Sequence, residues 1–327
     1  MFYRLLLMIY YLTHYNQQTY PFLIDYLNRN GLSASWAHTP VNHGEYLNAL
    51  IGAWRAVRKA TNGDIIITYM SSTGVLCWWI SLILFKRIRI IATNLALKND
   101  SSQQTRFMAL LYHGALKSKR FTLTVTSKQY GETMQKRLCS KQKLPLLRDY
   151  NHFPGYAKEY QDKGKRIFCG GNTQRDWMSC VNLAKQMPDW RFLLVGWKNE
   201  ENIEIPTNIK RIERLPFPKF MQAMRDSTIV YIPVKWNCPA GLIVMMEAAW
   251  EGKLIATSKN DITAEYISAE HGIADNNIEN IAKQLNALYL NPEECKRIVI
   301  NLQQFLTEKC SAEVYSKTIA NLVTTNT

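Results

Sequence analysis

The chain lacks the two phosphate-binding signatures most often met in α/β proteins. No GxGxxG follows a candidate strand and no GxxxxGK[ST] occurs in the 327 residues, so a dinucleotide dehydrogenase and a P-loop NTPase both lose support. It also lacks any CxxC pair or metal-ligand cluster. The seven cysteines, Cys77, Cys139, Cys169, Cys180, Cys238, Cys295 and Cys310, are scattered and odd in number. That pattern suits free thiols in a reducing compartment, predicts a cytoplasmic location, and gives no metal to expect. Long apolar runs are missing too, since a membrane-spanning helix needs about 20 apolar residues. The opening "MFYRLLLMIYYLTHY" carries tyrosines and no small-residue cleavage site, so it reads as a buried first strand and not as a signal segment. "GVLCWWISLILF", Gly74 to Phe85, is twelve uncharged residues, a core or membrane-docking helix and not an anchor. There are no internal repeats and no low-complexity tract.

What is present supports a globular protein. With 47% hydrophobic and 11% aromatic residues the chain can bury a sizeable core, and its length suits two domains. The net charge of +14 is unevenly placed. Residues 86–148 hold fourteen Lys or Arg against Asp100 and Glu132, and the rest of the chain is nearly neutral. Such an excess attracts polyanions or an anionic bilayer. Aromatics in this stretch are not interleaved as stacking platforms, so no nucleic-acid partner is expected. Within it, "QQTRFMALLYHGALKSKR", Gln103 to Arg120, is read as a helix with Phe107, Leu110, Leu111, Ala115 and Leu116 on one stripe. Arg106, His113, Lys117 and Lys119 surround that stripe, which combines apolar burial with cations as interfacial binding requires.

Short apolar runs alternate with helical patterns along the chain. Strands are expected at 4–10, 64–69, 89–93 and 121–125, and helices at 20–30, 46–60, 74–85, 103–117 and 128–138. The basic stretch "SKQKLPLLRDYNHFPGYAKEYQDKGKR" breaks the rhythm and reads as a linker. Alternation resumes with strands at 166–169, 191–195, 209–213, 228–233 and 254–257, and helices at 175–186, 218–225 and 241–251. Three more helices follow at 277–290, 292–306 and 312–323. Such alternation implies βαβ units on parallel sheets. The expected fold class is therefore α/β, two doubly wound Rossmann-like domains facing a central cleft, spanning 1–148 and 149–327. The last helix, 312–323, is a candidate to pack back on the first domain.

Doubly wound sheets bind ligands beyond the carboxyl ends of their strands, where helix N-termini favour phosphate. Two stretches fit that position. In "FCGGNTQRDW", Gly170 and Gly171 end a strand and let the backbone approach a ligand, and Arg175 supplies a fixed cation at the start of the next helix. In "CPAGLIVMMEAAWEGKLIATS", Ala240 and Gly241 place small residues at a helix N-terminus, and Glu247 stands alone in an apolar run. A buried carboxylate without partners is expensive, so either a structural donor or a ligand must satisfy Glu247. It lies six residues along the helix, about 9 Å at 1.5 Å per residue. That is the reach from a diphosphate to its ribose, whose vicinal hydroxyls a carboxylate can accept. His14, Asn94 and Lys98 follow strands of the first domain and are candidates for acceptor or transition-state contacts.

At these residues the chain resembles the donor half of the retaining GT-B glycosyltransferases of the glycogen-synthase-like group, family four. Gly170-Gly171 followed by Arg175, the strand Phe192 to Gly196, the strand Ile229 to Pro233, and Glu247-Ala248 through Gly252 to Thr257 match that family's elements in order. Four departures stand beside the match. Pro239 occupies the place of the acid eight residues before the Glu, Asn172 that of an Arg after the glycine, and Asn94 that of a His near the reacting sugar. "LTHYNQQTY" replaces the usual glycine-rich first loop.

The resemblance implies a GT-B fold and a retaining, metal-independent sugar transfer from a UDP- or GDP-sugar to a lipid-linked or glycan acceptor. The acceptor would be met at the inner face of the cell membrane, with the basic region 86–148 on the anionic surface and the nucleotide-sugar as donor substrate, no cofactor being needed. It assigns Arg175 and Lys235, with the helix N-terminus at Ala240, Gly241 and Leu242, to the leaving diphosphate, Asn94 to the catalytic set, and His14 and Lys98 to the acceptor. Gly170, Gly171, Asn172 and Glu247 complete the donor site, with Leu215 and Pro216 reading the nucleobase edge. A second reading stays open: a catalytically weak, nucleotide-binding GT-B subunit that serves as a membrane-bound scaffold, which Pro239 favours.

Overall fold

A computed structural model describes residues 7–13, 22–38, 44–97, 102–150, 156–198, 203–235 and 237–325. The chain forms two compact units, one of residues 1–149 with 311–327 and one of residues 150–310. Each is an α/β domain built on a parallel, Rossmann-like sheet.

The first unit contains β1 (Ile9–Thr13), α1 (Phe22–Arg29), β2 (Ala34–His38), α2 (Glu45–Lys59), β3 (Ile65–Thr68), α3 (Ser71–Ile83), β4 (Arg89–Ala92), α4 (Gln103–Ala115), β5 (Phe121–Leu123) and α5 (Lys128–Arg137). Its sheet order is β2-β1-β3-β4-β5. Each step from β2 to β3, β3 to β4 and β4 to β5 moves the same way across the sheet. Right-handed crossovers therefore put α2, α3 and α4 on one face, and α1, whose crossover runs backwards, on the other. Contacts of α2 with α3 and of α3 with α4 agree with that layer. Gly74 lets α3 lie close to the sheet, because a Cβ there would come within 2.6 Å of the Thr68 hydroxyl.

The chain returns to this unit at its end. Helix α12 (Ala312–Thr324) packs on α1, and the buried Arg89 guanidinium donates to the carbonyls of Leu322 and Val323. Those are carbonyls of the last turn, which a helix leaves without internal partners. Lys86 does the same for α2, its ammonium donating to Val57, Arg58 and Ala60 at 2.6–2.9 Å.

The second unit contains β6 (Arg166–Gly170), α6 (Trp177–Gln186), β7 (Arg191–Val195), β8 (Ile209–Ile212), α7 (Phe217–Arg225), β9 (Ile229–Ile232), α8 (Leu242–Trp250), β10 (Leu254–Thr257), α9 (Thr263–Tyr266), β11 (Ile273–Ala274), α10 (Ile278–Tyr289) and α11 (Pro292–Lys309). The order β11-β10-β9-β6-β7-β8 reverses direction beside β6, as in other doubly wound sheets. Side chains of β6, β7 and β9 and of helices α6, α10 and α11 form one core around Trp190, Phe192 and Tyr231.

Several sequence expectations need correction. The first strand is Ile9–Thr13, not 4–10, because IYYLT is the stretch that registers against β2 and β3. Residues 4–6 lie outside the described ones. Strand β2 was missed: "ASWAH" is short and holds no β-branched residue, as an edge strand permits. Helix α6 starts at Trp177, because Asp176 caps it by accepting from Ser179 N. Arg175 is thus a loop residue and not the first residue of that helix. The expected stripe on α4 also divides, with Phe107 and Leu110 exposed and Ala115 and Leu116 buried.

Candidate active site

In the second unit the loop after β6 and the loop after β9 are bound to each other. Arg175 and Val234 form an isolated antiparallel bridge, Lys235 N donates to Gln174 O at 2.9 Å, and Asp176 N donates to Pro233 O at 3.2 Å. These bonds bring the Gly170–Gly171 stretch against the N-terminus of α8, an association that sequence spacing alone does not fix.

The Arg175 guanidinium lies between the two. A Cβ on Gly171 would stand 2.7 Å from one of its terminal nitrogens, and a Cβ on Gly241 2.9 Å from the other. Both glycines have positive φ, +114° and +86°, so any side chain there would be strained as well as crowded. Two glycines from separate motifs therefore make room for one cation. Arg175 is 4% exposed, and its Nε donates to Gly170 O at 2.8 Å and one terminal nitrogen to Thr173 O at 3.3 Å. Among the described residues no carboxylate pairs with it. Burial lowers its pKa to about 10, which leaves it charged at neutral pH. A buried guanidinium held only by carbonyls is an electrostatic invitation to an anion.

Beside it the first turn of α8 is open. Gly241 occupies the N-cap in the left-handed region and no side chain caps the helix. The amides of Leu242 and the two residues after it thus have neither an intrahelical partner nor a capping side chain. Ala240 and Leu242 are themselves buried. Helix α8 buries Met245, Met246, Ala248 and Ala249, while Ile243, Val244 and Glu247 follow one another along a half-open strip. The helix is therefore not buried all round.

The Glu247 carboxylate has no hydrogen bond or ion pair among the described residues, so no structural donor is seen for it there. Burial, with the charge of Glu251 one turn away, raises its pKa to about 7. Glu251 is the residue that sequence reasoning missed. It is 8% exposed and accepts from Arg225 at 2.8 and 2.9 Å and from Lys158 at 2.5 Å. Burial alone would raise it, but those donors outweigh burial and hold it below the usual carboxylate range. The signal was available: two glutamates at i and i+4 repel, so one of them needs cations.

The remaining predicted residues are placed as follows. Gly170 admits packing as well as ligand approach, since a Cβ would meet the rings of Phe168 and Phe220 at 2.5 and 2.7 Å. Asn172 is exposed and stands over Gly196 at the end of β7, whose φ is +113°. Lys235 is tied into the site by its backbone, and its side chain is exposed, with no partner among the described residues. Leu215 and Pro216 precede α7, and Pro216 is its N-cap. Leu215 also lines a cavity of about 810 Å³ with Arg166, Arg191, Lys210 and Lys219. That cavity reaches the amino ends of β6 to β8, the edge of the sheet opposite to Gly171 and Gly241.

Asn94 belongs to the first unit, just past β4. It is buried, adopts φ +54°, and its Oδ1 has no partner among the described residues. A non-glycine residue held in the left-handed region with an orphaned acceptor is a strained, unsatisfied group of the kind that collects at functional positions. His14 and Lys98 lie outside the described residues.

Two parallel-sheet Rossmann-like domains in this order are the fold of the GT-B glycosyltransferases. HepE from Anabaena, solved with UDP and glucose, superposes with a TM-score of 0.69 at 13% identity over 97% of this chain and 99% of that one. WaaG, described as a glycosyltransferase involved in lipopolysaccharide biosynthesis, gives 0.63 at 12% identity over 97% and 100%. A TarM variant from S. aureus in complex with Fondaparinux, alpha-GlcNAc-glycerol and UDP gives 0.66 at 13%, covering 84% of this chain and 59% of that one. No family model matches the sequence, and no curated protein matches it.

Proposed function

We propose that the protein is a retaining, metal-independent glycosyltransferase of the family-four type. It moves a sugar from a UDP- or GDP-sugar to a membrane-associated lipid-linked or glycan acceptor in surface-glycan biosynthesis, working at the inner face of the cell membrane. The observation that carries the reading is Arg175, a buried cation without a carboxylate partner, held between Gly171 and Gly241 beside the uncapped start of α8. A diphosphate supplies the negative charge this place lacks, and the ribose hydroxyls supply donors for Glu247. As the glycosidic bond breaks, charge grows on the β-phosphate. Preorganised amides of α8 and the Arg175 guanidinium, with Lys235 able to swing in from its exposed position, then stabilise the leaving group, the role a metal fills in other transferases. Asn172 and Gly170 complete the phosphate loop, and Leu215 and Pro216 face the base. Asn94 and, outside the described residues, His14 and Lys98 act on the acceptor side. Neighbours solved with UDP, UDP-glucose or a glycan support the same ligand class for this chain.

A second reading has its own observation. Pro239 stands where the family carries an acid on the donor sugar, so a catalytically weak nucleotide-binding subunit acting as a membrane-bound scaffold in a glycan assembly complex is the alternative. Incubation with UDP- and GDP-sugars, a lipid extract and a chelator separates the readings. Transfer of label into the lipid fraction, unchanged by chelator, supports the enzyme. Nucleoside diphosphate binding without transfer from any donor supports the scaffold, and no nucleotide binding at all refutes both.

A further inference from the structure

The outer surface of the first unit's helical layer is apolar across three helices. On α2, Leu47, Leu50 and Trp54 recur at helical spacing and are 49%, 46% and 42% exposed. On α4, Phe107 and Leu110 are 60% and 65% exposed. Between them, the outward row of α3 consists of half-exposed Leu76 and Trp79 and exposed Ile83.

These rows form one surface. Tyr46 at the start of α2 accepts from the Gln104 amide of α4 at 2.6 Å, which joins the two outer helices across the end of α3. Trp79 lies on Gly114 of α4, where a Cβ would come within 2.8 Å of its ring, and donates to Leu111 O at 3.3 Å. The three helices thus present a broad apolar face. Soluble monomers rarely leave such a patch uncovered without a use for it.

Charge identifies what covers it. Exposed Arg55 and Arg58 on α2, and Arg106 and Lys117 on or beside α4, border the apolar rows. From Ile65 to Gly131 the sequence has only one acid, Asp100, which lies outside the described residues. A second copy of the chain would set these cations against one another. Among the described residues no helix is long and apolar enough to cross a membrane.

We propose that α2, α3 and α4 together are a docking face for an anionic phospholipid bilayer, with Leu47, Leu50, Trp54, Phe107 and Leu110 entering the headgroup–acyl boundary and the bordering cations meeting lipid phosphates. The proposal rests on the membrane part of the functional reading and extends it. The contact includes α2, outside the basic stretch 86–148, and apolar insertion carries it as much as charge. It also corrects the α4 stripe, since Ala115 and Leu116 face the core and take no part. Part of the basic excess is unavailable to lipid, because Lys86, Arg89 and Arg120 donate to backbone carbonyls inside the unit.

Flotation of the full chain with vesicles of phosphatidylcholine alone and of phosphatidylcholine with phosphatidylglycerol tests the proposal. The parent floats with the anionic vesicles. Leu50→Asp/Trp54→Asp and Phe107→Asp/Leu110→Asp each weaken partition by about tenfold or more, and Trp54→Leu retains it. All these positions are exposed, so the variants keep the parent's thermal midpoint and its response to nucleoside diphosphates, which separates this proposal from the donor-site reading. Hydroxyl-radical footprinting of the parent is a check that needs no variant: Trp54 and Phe107 lose reactivity on anionic vesicles. The proposal is overturned if the parent floats with neither vesicle, if the Asp variants bind as the parent does, or if protection falls on other faces. It is also overturned if sedimentation shows a dimer that the same variants dissociate.

Discussion

Helix α8 carries two glutamates one turn apart, and the surroundings of its two ends differ. At the C-terminal end Glu251 is gripped by Arg225 and Lys158, and the chain at Lys158 donates from its backbone to Trp250 O at 2.8 Å. Towards the N-terminal end, among the described residues, the Glu247 carboxylate has no partner, no side chain caps the first amides, and the nearby Arg175 lacks a carboxylate. The same unit thus pairs one carboxylate with two cations and, among the described residues, leaves the other without a partner, on a helix whose start lies beside a cation, Arg175, that carbonyls hold. Cations were at hand for Glu251, so the open end is a property of where the site lies and not of a shortage of partners. An unpaired charge tolerated in the folded state is what a ligand of complementary pattern would complete.

Substitutions at the two ends should therefore have opposite signatures. The largest effect is expected from Arg175→Met, which lowers nucleoside diphosphate affinity about 100-fold, about 2.7 kcal/mol, by calorimetric titration. Its unligated thermal midpoint moves little, because lost bonds to Gly170 and Thr173 offset the relieved burial of charge. Glu251→Ala has the reverse profile. It costs about 2 kcal/mol in urea unfolding, below the full cost of breaking a buried pair because Arg225 and Lys158 are 40% and 49% exposed, and it leaves nucleotide affinity within a few-fold.

Glu247→Gln tests the open end by pH. The folded pKa of about 7 lies above the unfolded value near 4.5, so between those values the folded chain keeps a proton that the unfolded chain has lost. Stability from this group is present below about pH 4.5 and is lost as pH rises to about 7. The Gln variant should be about 1–2 kcal/mol more stable than the parent at pH 8 and equal to it at pH 4. A smaller effect, about 1 kcal/mol, is expected from Lys253→Met, since the Lys253 ammonium donates to Arg225 O and Ser227 O at the end of α7. That loss should leave ligand binding untouched.

The α/β class was legible because β3, β4, β7 and β10 are short apolar runs between helical patterns, and their positions on the chain follow from composition. The candidate site was legible as pieces, Gly170-Gly171, Arg175 and Gly241 to Glu247. What sequence could not give was their assembly, because the bonds between the loops at Gln174–Lys235 and Asp176–Pro233 are backbone bonds that no side chain announces. The contrast within α8 was hidden for a similar reason: Lys158 lies 93 residues from Glu251, in a stretch read as a linker. Edge strand β2 was hidden by its shortness and its lack of β-branched residues, and the face on α2 by the habit of reading exposed positions one helix at a time. Leu50 and Trp54 gain meaning only once the sheet order sets α2 beside α3 and α4.

The central claim is that Arg175 stands without a carboxylate and the Glu247 carboxylate without a donor, among the described residues, because a nucleoside diphosphate completes both. The most direct test is calorimetric titration of UDP, GDP, CDP and ADP at pH 8 into the parent and into Glu247→Ala. One of the four should bind the parent, and the variant should bind it at least about tenfold more weakly while remaining folded. Equal binding by parent and variant, or no heat from any of the four with folded parent, contradicts the account.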